Sequence, residues 1–458
     1  MHLEKLLSDF YTDYSNLTSQ GRNGEAIWSC EHTAVQALNC LGLSYCTNLK
    51  DYKKSLETFE SALKIDPSNW HIWSNLTHVY SVMGDHDNSV ETAMRTIQYS
   101  RGEDLDPYYN AGVVLANVLR YKESEEMYRK SLNINPNHAM SNFNLGLSLL
   151  RCGEYEEGFR LYDYRFFSHD ITSRFKKRFL QPEWEGQKIK KKSLLVYSEQ
   201  GLGDFIFFSR FIKRIRPLVG KIICEVQEPI AQIVRDSLDV DEVISRRNNN
   251  DWPDPPKSDY CISVCSLPKI FKTCNSEDFF CEPYFKSTGK IKLKCPKSKM
   301  KIGICWGGNS DHTRDFLRSM PILAMKELIE NKNVQCYSLM KGVNTKRSWP
   351  KGDIDLNEGI ESLSIIDMSE KIQNFTDLAN IIESLDLVIT VDTGLAHLCG
   401  AMGKPVWILL AKHCDWRWFD DVETTPWYPS ARLFRCKTTW EDLIHEVVES
   451  LPINQKAK

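Results

Sequence analysis

The pattern Leu63-x-Ile65-x-Pro67 returns as Leu132-x-Ile134-x-Pro136, 69 residues later. Half that separation, about 34 residues, is the length of a helix-turn-helix repeat. Such a unit cannot bury its apolar face alone and must stack on copies of itself. Large and small residues pair at the first helix of each unit: Leu41-Gly42 with Tyr45, Trp73-x-x-Leu76 with Tyr80, Tyr108-x-x-Ala111-Gly112, and Leu145-Gly146. The small member lets the two helices of a unit approach closely. Phe59 with Ala62, then Tyr128, then Tyr162 fall on the second helices, and the prolines end helices they cannot continue. All of these residues read as core packing.

Over about residues 34 to 165 this pattern resembles the tetratricopeptide repeats, with four units, two of them degenerate. The unit of Trp73 has Arg101 where a proline is expected. Residues 1–33 are read as a helical cap and 34–173 as the repeat domain, whose function belongs to its concave face.

Two basic runs follow. Between Arg174 and Lys192 lie eight basic residues and two acids, and Lys290-x-Lys292-x-Lys294 continues through Lys301. Both read as solvated domain borders, framing a first α/β half at 174–295 and a second at 296–458. Strand and helix alternate in each. In the first, Ser193–Tyr197 is a strand, Phe205 to Ile215 a helix, Lys221–Val226 a strand and Pro229–Leu238 a helix. In the second, Ile302–Trp306 is a strand, Pro321–Lys332 a helix, Val334–Leu339 a strand and Phe375–Ser384 a helix, before strands at Leu387–Val391 and Val406–Leu410. The expected fold is a tetratricopeptide α-solenoid followed by two Rossmann-like, doubly wound halves, with ligands at the carboxyl ends of the strands.

Composition excludes other classes. The 58 Lys+Arg against 61 Asp+Glu leave a formal charge of −3, which gives no global drive toward nucleic acid. The 15 cysteines form no C-x-x-C pair, so neither a zinc ribbon nor a disulfide framework is expected. The N-terminus lacks the apolar run of a secretory signal, and the longest apolar stretch, Val406–Ala411, is too short to span a bilayer. A cytoplasmic, soluble protein is expected.

Two turns carry candidate chemistry. Gly201-Leu-Gly203-Asp204 begins like a dinucleotide fingerprint but has Ile206 in place of the third glycine. Asp204 lies between a strand end and a helix start, where it either caps the helix or serves as a carboxylate at the cleft mouth. The second turn, Asp392-Thr393-Gly394-Leu-Ala-His397, directly follows the strand ending at Val391. Here Asp392 and Thr393 can cap the helix, Gly394 lets backbone N–H groups approach an anion, and His397 lies one turn on, facing with Thr393. The run Asp415-Trp416-Arg417-Trp418 either stacks a sugar or base in the cleft or fills core. Asp-x-Asp pairs at 85/87, 104/106, 239/241 and 353/355 are scattered, two of them in the repeats, and no His/Cys cluster has metal spacing. No metal is expected.

From about residue 155 to 450 the chain resembles the family-nine, heptosyltransferase-like glycosyltransferases, most closely bacterial tetratricopeptide proteins that carry such a domain. The resemblance rests on Glu157–Tyr162, Glu199–Asp204, Cys305-Trp306-Gly307-Gly308-Asn309, Arg318-Ser319, Ser338-Leu339 with Lys341-Gly342, and Leu385–Ile389. It continues through the Asp392–His397 turn, Gly403–Trp407, Asp415–Trp418 and Trp427-Tyr428-Pro429. Met340 and Phe207 stand where relatives typically have glutamine, and Ala411 replaces a usual proline.

The resemblance implies an inverting, metal-independent enzyme of GT-B architecture. It makes Asp204 the general base and puts the donor phosphates on Asp392, Thr393, Gly394 and His397. Arg318 and Lys341 would supply positive charge, with Gly201, Gly203, Trp306, Asp415, Trp416 and Arg417 as further cleft residues. A nucleotide-sugar is the expected co-substrate, without a separate cofactor, and the acceptor is expected to be a polypeptide recruited by the repeats. A glycan or lipopolysaccharide-type transferase and a non-catalytic repeat scaffold are the alternatives.

Overall fold

The computed structural model describes residues 12, 15–168, 170–246, 254–279, 281–312, 315–341, 345–349 and 352–452. The chain divides into two compact units, Met1–Ser148 and Leu149–Lys458.

The first unit is helical. Helix α1 (Asn23–Ser44) runs unbroken through residues 33 and 34 and ends in a π-turn over Tyr45–Leu49. It is followed by α2 (Tyr52–Ile65), α3 (Trp70–Met83), α4 (His86–Tyr99), α5 (Leu105–Asn117), α6 (Tyr121–Ile134) and α7 (Ala139–Arg151), whose last turn from Leu149 already belongs to the second unit. Side chains of Asp51, Asn69 and Asp85 accept backbone N–H groups at the starts of α2, α3 and α4, satisfying donors that a helix start leaves unpaired.

The small residues set the spacing of helix pairs. A Cβ on Gly42 would lie 2.6 Å from the ring of Phe59, and one on Gly112 would lie 2.5 Å from that of Tyr128. Both rings are buried. The freed backbone is also used. Ser55 Oγ donates to Gly42 O at 2.8 Å and Ser124 Oγ to Gly112 O at 2.7 Å, so the two units repeat one contact. Where Arg101 replaces proline, Arg101 and Gly102 adopt positive φ of 57° and 73°, and left-handed geometry ends α4 in proline's stead.

The second unit contains two parallel sheets. The first, in the order β3-β2-β1-β4, uses β1 (Ile189–Tyr197), β2 (Val219–Gln227), β3 (Glu242–Arg246) and β4 (Tyr260–Ser263). The second has the order β12-β11-β10-β5-β6-β9. Its strands are β5 (Met300–Cys305), β6 (Val334–Ser338), β9 (Ile365–Asp367), β10 (Leu387–Val391), β11 (Val406–Leu410) and β12 (Ala431–Arg435). An antiparallel pair, β7 (Lys346–Trp349) with β8 (Gly352–Asp355), stands apart. Every residue of β10 is buried, as a central parallel strand covered on both faces requires. Strand order reverses between β1 and β4 in one sheet and between β5 and β10 in the other, which opens crevices at those strands' carboxyl ends.

Four sequence expectations are corrected. The border near residue 173 gives way to a division at 148/149, because helix α8 (Tyr155–Tyr162) belongs to the second unit. There Phe159 packs on Phe208 and Trp416 with ring centroids 6.3 and 5.8 Å apart. Nor is the basic run Arg174–Lys192 a free linker. Arg178 makes a buried ion pair with Glu225 at 2.9 Å, and Ile189–Lys192 begins β1. The helix expected from Phe205 to Ile215 is two, α9 (Leu202–Ser209) and α10 (Ile212–Ile215). Buried Arg210 donates Nε to Phe207 O, the carbonyl that Phe211 N–H would use, and Phe211 turns to Phe208 O instead. Finally, Pro321–Lys332 forms a 3₁₀ stretch, Ile322–Met325, and a short helix, Lys326–Ile329. The buried Ile322, Met325 and Leu328 are spaced by three, the 3₁₀ period.

Gly112→Ala is expected to destabilise the first unit by about 1–3 kcal/mol, the cost of overpacking a filled core. Gly24→Ala, where an added Cβ meets open space, should be neutral or stabilising. Denaturant unfolding checks both, and equal midpoints for the two variants would refute the packing role of Gly112.

Candidate active site

Strand β1 ends at Tyr197, and the turn through Gly201 starts α9 with Asp204 at its third position. The structure gives Asp204 two engagements. Its Oδ2 accepts Gly201 N–H at 3.0 Å, closing the helix start, and its Oδ1 accepts Arg417 Nη2 at 2.7 Å. Capping and ion pairing therefore coexist on one carboxylate, which remains a quarter exposed.

Strand β10 ends at Val391, and α13 (Gly394–Ala401) begins after Asp392 and Thr393; helices α11 (Glu228–Ser237) and α12 (Phe375–Ile382) precede it in the chain. Thr393 occupies the cap position, yet its side chain makes no cap hydrogen bond, and its Oγ1 lies 3.3 Å from Thr390 Oγ1. The expected side-chain capping by Thr393 is thus absent.

The two turns touch, although Gly203 and Gly394 are 191 positions apart in sequence. A Cβ on Gly203 would lie 2.8 Å from His397 Cδ2 and 3.4 Å from Gly394 Cα. Around this junction is a cavity of about 1150 Å³. It is lined by Gly201, Gly203, Asp204, Arg318, Lys341, Asp392, Thr393, Gly394, His397, Asp415 and Arg417. Two expected cleft residues are core instead. Trp306 is fully buried and donates Nε1 to Asn357 Oδ1 at 3.1 Å, and Trp416 is enclosed by Phe159, Phe207 and Trp427. Met340 and Ala411 line the cavity, whereas Phe207 lies beneath the Arg417 guanidinium, 4.8 Å away.

The carboxylates are tuned apart. Burial raises Asp204 above the usual range, against the lowering pull of Arg417. Burial and the neighbouring Asp415 raise Asp392, while Asp415, bound through Oδ1 to Arg417 N and Nη1, is held low. Arg318 donates Nη1 to Asp392 O at 3.0 Å and faces Asp315 through Nε. Burial drives His397 down to about 3, so it is neutral; its Nδ1 lies 3.0 Å from Tyr428 OH and its ring stacks on Trp418. His397 can offer an anion a hydrogen bond but no charge. Lys341 is exposed at the rim.

Sequence reading missed parts of the wall. Asn374 and Phe375 line the cavity at the start of α12, where the capping box of Asn374 with Asp377 is a legible signal for a helix start. Arg246, at the end of β3, lies between Glu225 and the carbonyl of Ser198. A lone basic residue ending a strand carries no such signal. Among the described residues, no group of three or more His, Cys, Asp or Glu is arranged to hold a metal ion.

The family model of glycosyltransferase family 9 (heptosyltransferase) matches residues 365–443, and models of the tetratricopeptide repeat match 35–69, 105–138 and 127–159. The chain carries tetratricopeptide repeats and a glycosyltransferase family 9 domain. The matched span of the family 9 domain holds the Asp392–His397 turn, Asp415 and Arg417; Asp204, Arg318 and Lys341 lie outside it. Protein FlbA of Caulobacter vibrioides is similar to the chain at 23% identity over 437 residues, 87% of this chain and 70% of that one. The small glutamine-rich tetratricopeptide repeat-containing protein 2 of Mycosarcoma maydis is 27% identical over 94 residues, 19% of this chain and 25% of that one. A solved structure of pilF from Pseudomonas aeruginosa aligns at 16% identity with a TM-score of 0.30, over 38% of this chain and 82% of that one. Among the described residues, no helix is long and apolar enough to cross a membrane.

His397 makes the family 9 domain acid-sensitive in a definable window. Its folded value, about 3, lies below the ordinary 6.5, so below pH 6.5 the unfolded chain takes up a proton that the folded chain refuses. Stability is then lost progressively toward pH 3. In His397→Gln this contribution disappears, and the melting temperature should fall less between pH 7 and pH 5 than in the wild type. Parallel melting curves for the two proteins would show that His397 is not buried in its neutral form.

Proposed function

We propose that the chain is an inverting, metal-independent glycosyltransferase of GT-B architecture. The part of the second unit that holds the first sheet, up to residue 295, forms its acceptor half and residues 296–458 its nucleotide-sugar half, and the repeats recruit a polypeptide acceptor. The observation that carries this reading is the junction of the Gly201–Asp204 turn with the Asp392–His397 turn at one cavity.

In this reading Asp204 takes the proton of an acceptor hydroxyl as that oxygen attacks the anomeric carbon. The bond from that carbon to the diphosphate breaks on the opposite face, and its electron pair leaves with the nucleoside diphosphate. The N–H groups starting α13 receive the departing phosphates, joined by Thr393, a neutral His397, Arg318 and Lys341. Two features of the cavity support the roles. Asp204 is a partly exposed carboxylate in its wall, and the start of α13 offers partial positive charge where charge develops. No separate cofactor is required by this chemistry. The 15 cysteines, all free, fit a cytoplasmic site of action.

Asp204→Asn is expected to retain calorimetric binding of ADP or UDP but to lower sugar transfer about 10²-fold or more, the usual worth of a general base. The assay is nucleoside diphosphate release from a panel of UDP-, GDP- and ADP-sugars. Undiminished turnover in a folded Asp204→Asn chain would reject the base assignment. Wild-type turnover should also persist in EDTA, and a loss restored by a divalent cation would reject metal independence.

A further inference from the structure

We infer that Arg417, braced by Asp415, is the positioning residue that holds the Asp204 carboxylate in place within the cavity. The inference rests on the reading of Asp204 as the base.

Arg417 lies in the 3₁₀ turn Trp416–Trp418 that follows β11 of the second sheet, whereas Asp204 lies in the helix that follows β1 of the first. Its guanidinium reaches two carboxylates with separate arms, Nη2 to Asp204 Oδ1 at 2.7 Å and Nη1 to Asp415 Oδ1 at 2.9 Å. Only 5% of the residue is exposed, and its Cζ lies 4.8 to 5.2 Å from the ring centroids of Phe207, Phe208 and Trp416. A planar fork held on aromatic faces has little freedom to rotate, a geometry lysine cannot reproduce. With Oδ2 on Gly201 N–H and Oδ1 on Arg417, two of about four acceptor positions of the Asp204 carboxylate are used, and the others remain for a substrate proton.

The backbone that presents Arg417 is itself strained and clamped. Phe419 has φ 56° and ψ −163°, a region that side-chain-bearing residues avoid. Arg435 donates to the carbonyls of Trp418 and Val422, Arg151 donates to Phe419 O, and Trp427 Nε1 donates to Arg417 O. A buried ion pair alone is weak evidence of a stabilising role, because well-packed apolar residues often serve as well. Strain maintained by several clamps around a buried fork is a device for placing the fork.

The groups facing the pair leave Arg417 as its positive partner. Asp415 is anionic, Tyr162 and Cys265 are pushed up by burial and stay neutral, and His312 and His397 are pushed down.

The test uses the full chain with ¹³C-carboxyl-labelled aspartate, the Asp204 resonance being identified by its loss in Asp204→Asn. Removing the positive partner in Arg417→Met should raise the Asp204 midpoint by about one unit or more. The acid limb of kcat, assayed with the nucleotide sugar the wild type turns over fastest in the panel, should rise with it. Arg417→Lys keeps a charge but not the fork, so its midpoint should stay near that of the wild type while kcat falls about tenfold or more at unchanged KM. An unmoved midpoint in folded Arg417→Met, or wild-type kcat at every pH in Arg417→Lys, overturns the inference. If Arg417→Met fails to unfold cooperatively, Arg417→Lys decides alone. Full turnover in Asp204→Asn overturns the base reading and this inference with it, whereas a loss there beside wild-type behaviour in both Arg417 variants overturns this inference alone.

Discussion

The contact of Gly203 with His397 and Gly394 is the constraint on which the site depends. Two helices, each starting at the carboxyl end of a strand in a different sheet, approach until a single methyl group would intrude. Glycine at 203 is therefore required by a close approach rather than by its backbone angles, and beside that approach Asp204 meets Arg417 in the wall of the cavity that Asp392 also lines. Neither sheet contributes a complete site. Each supplies one turn, and the cavity exists where they abut.

That geometry decides how three carboxylates share two arginines. Arg417 has two accessible arms and gives one each to Asp204 and Asp415, while Arg318 reaches the carbonyl of Asp392 rather than its carboxylate. Asp415 also accepts the Arg417 backbone N–H, and these attractions outweigh burial. For Asp392 burial wins, reinforced by repulsion from Asp415. For Asp204 burial prevails as well: its arginine opposes burial without overcoming it. Burial and the neighbouring charges, rather than residue type, set the direction for each of the three.

The two turns were legible because each is a local pattern, glycine and a polar residue between an apolar strand and a helix. So were the repeats, since Leu63-x-Ile65-x-Pro67 and its copy record helix ends in sequence. The meeting of the turns was not legible, because it is a contact between Gly203 and His397 with no local trace. The tryptophans were read less well for a related reason. A Trp beside a strand end looks the same whether it faces a cleft or the core, and for Trp306 and Trp416 the neighbours Asn357, Phe159 and Trp427 decide. The helix break at Arg210 was hidden too, for it depends on a buried arginine taking a helix carbonyl.

Helix α8 shows that a repeat pattern and a packing unit need not share a boundary. Its sequence continues the periodicity of the repeats, and a repeat model extends to residue 159, yet its side chains pack within the second unit. Tyr162 donates its hydroxyl to Gln200 Oε1 at 2.9 Å, and Gln227 donates to the carbonyl of the same Gln200. Just beyond it, buried Arg165 donates Nε to Glu199 Oε1 at 2.9 Å and shares Ser263 with that carboxylate. Glu199 and Gln200 lead directly into the glycine turn that carries Asp204. The residues leaving the repeats therefore fix the backbone of that turn from behind, while Arg417 fixes its carboxylate from the front. A chain begun after residue 173 would lose the first of these supports, together with the hydrogen bond that Arg151 donates to Phe419 O beside Arg417.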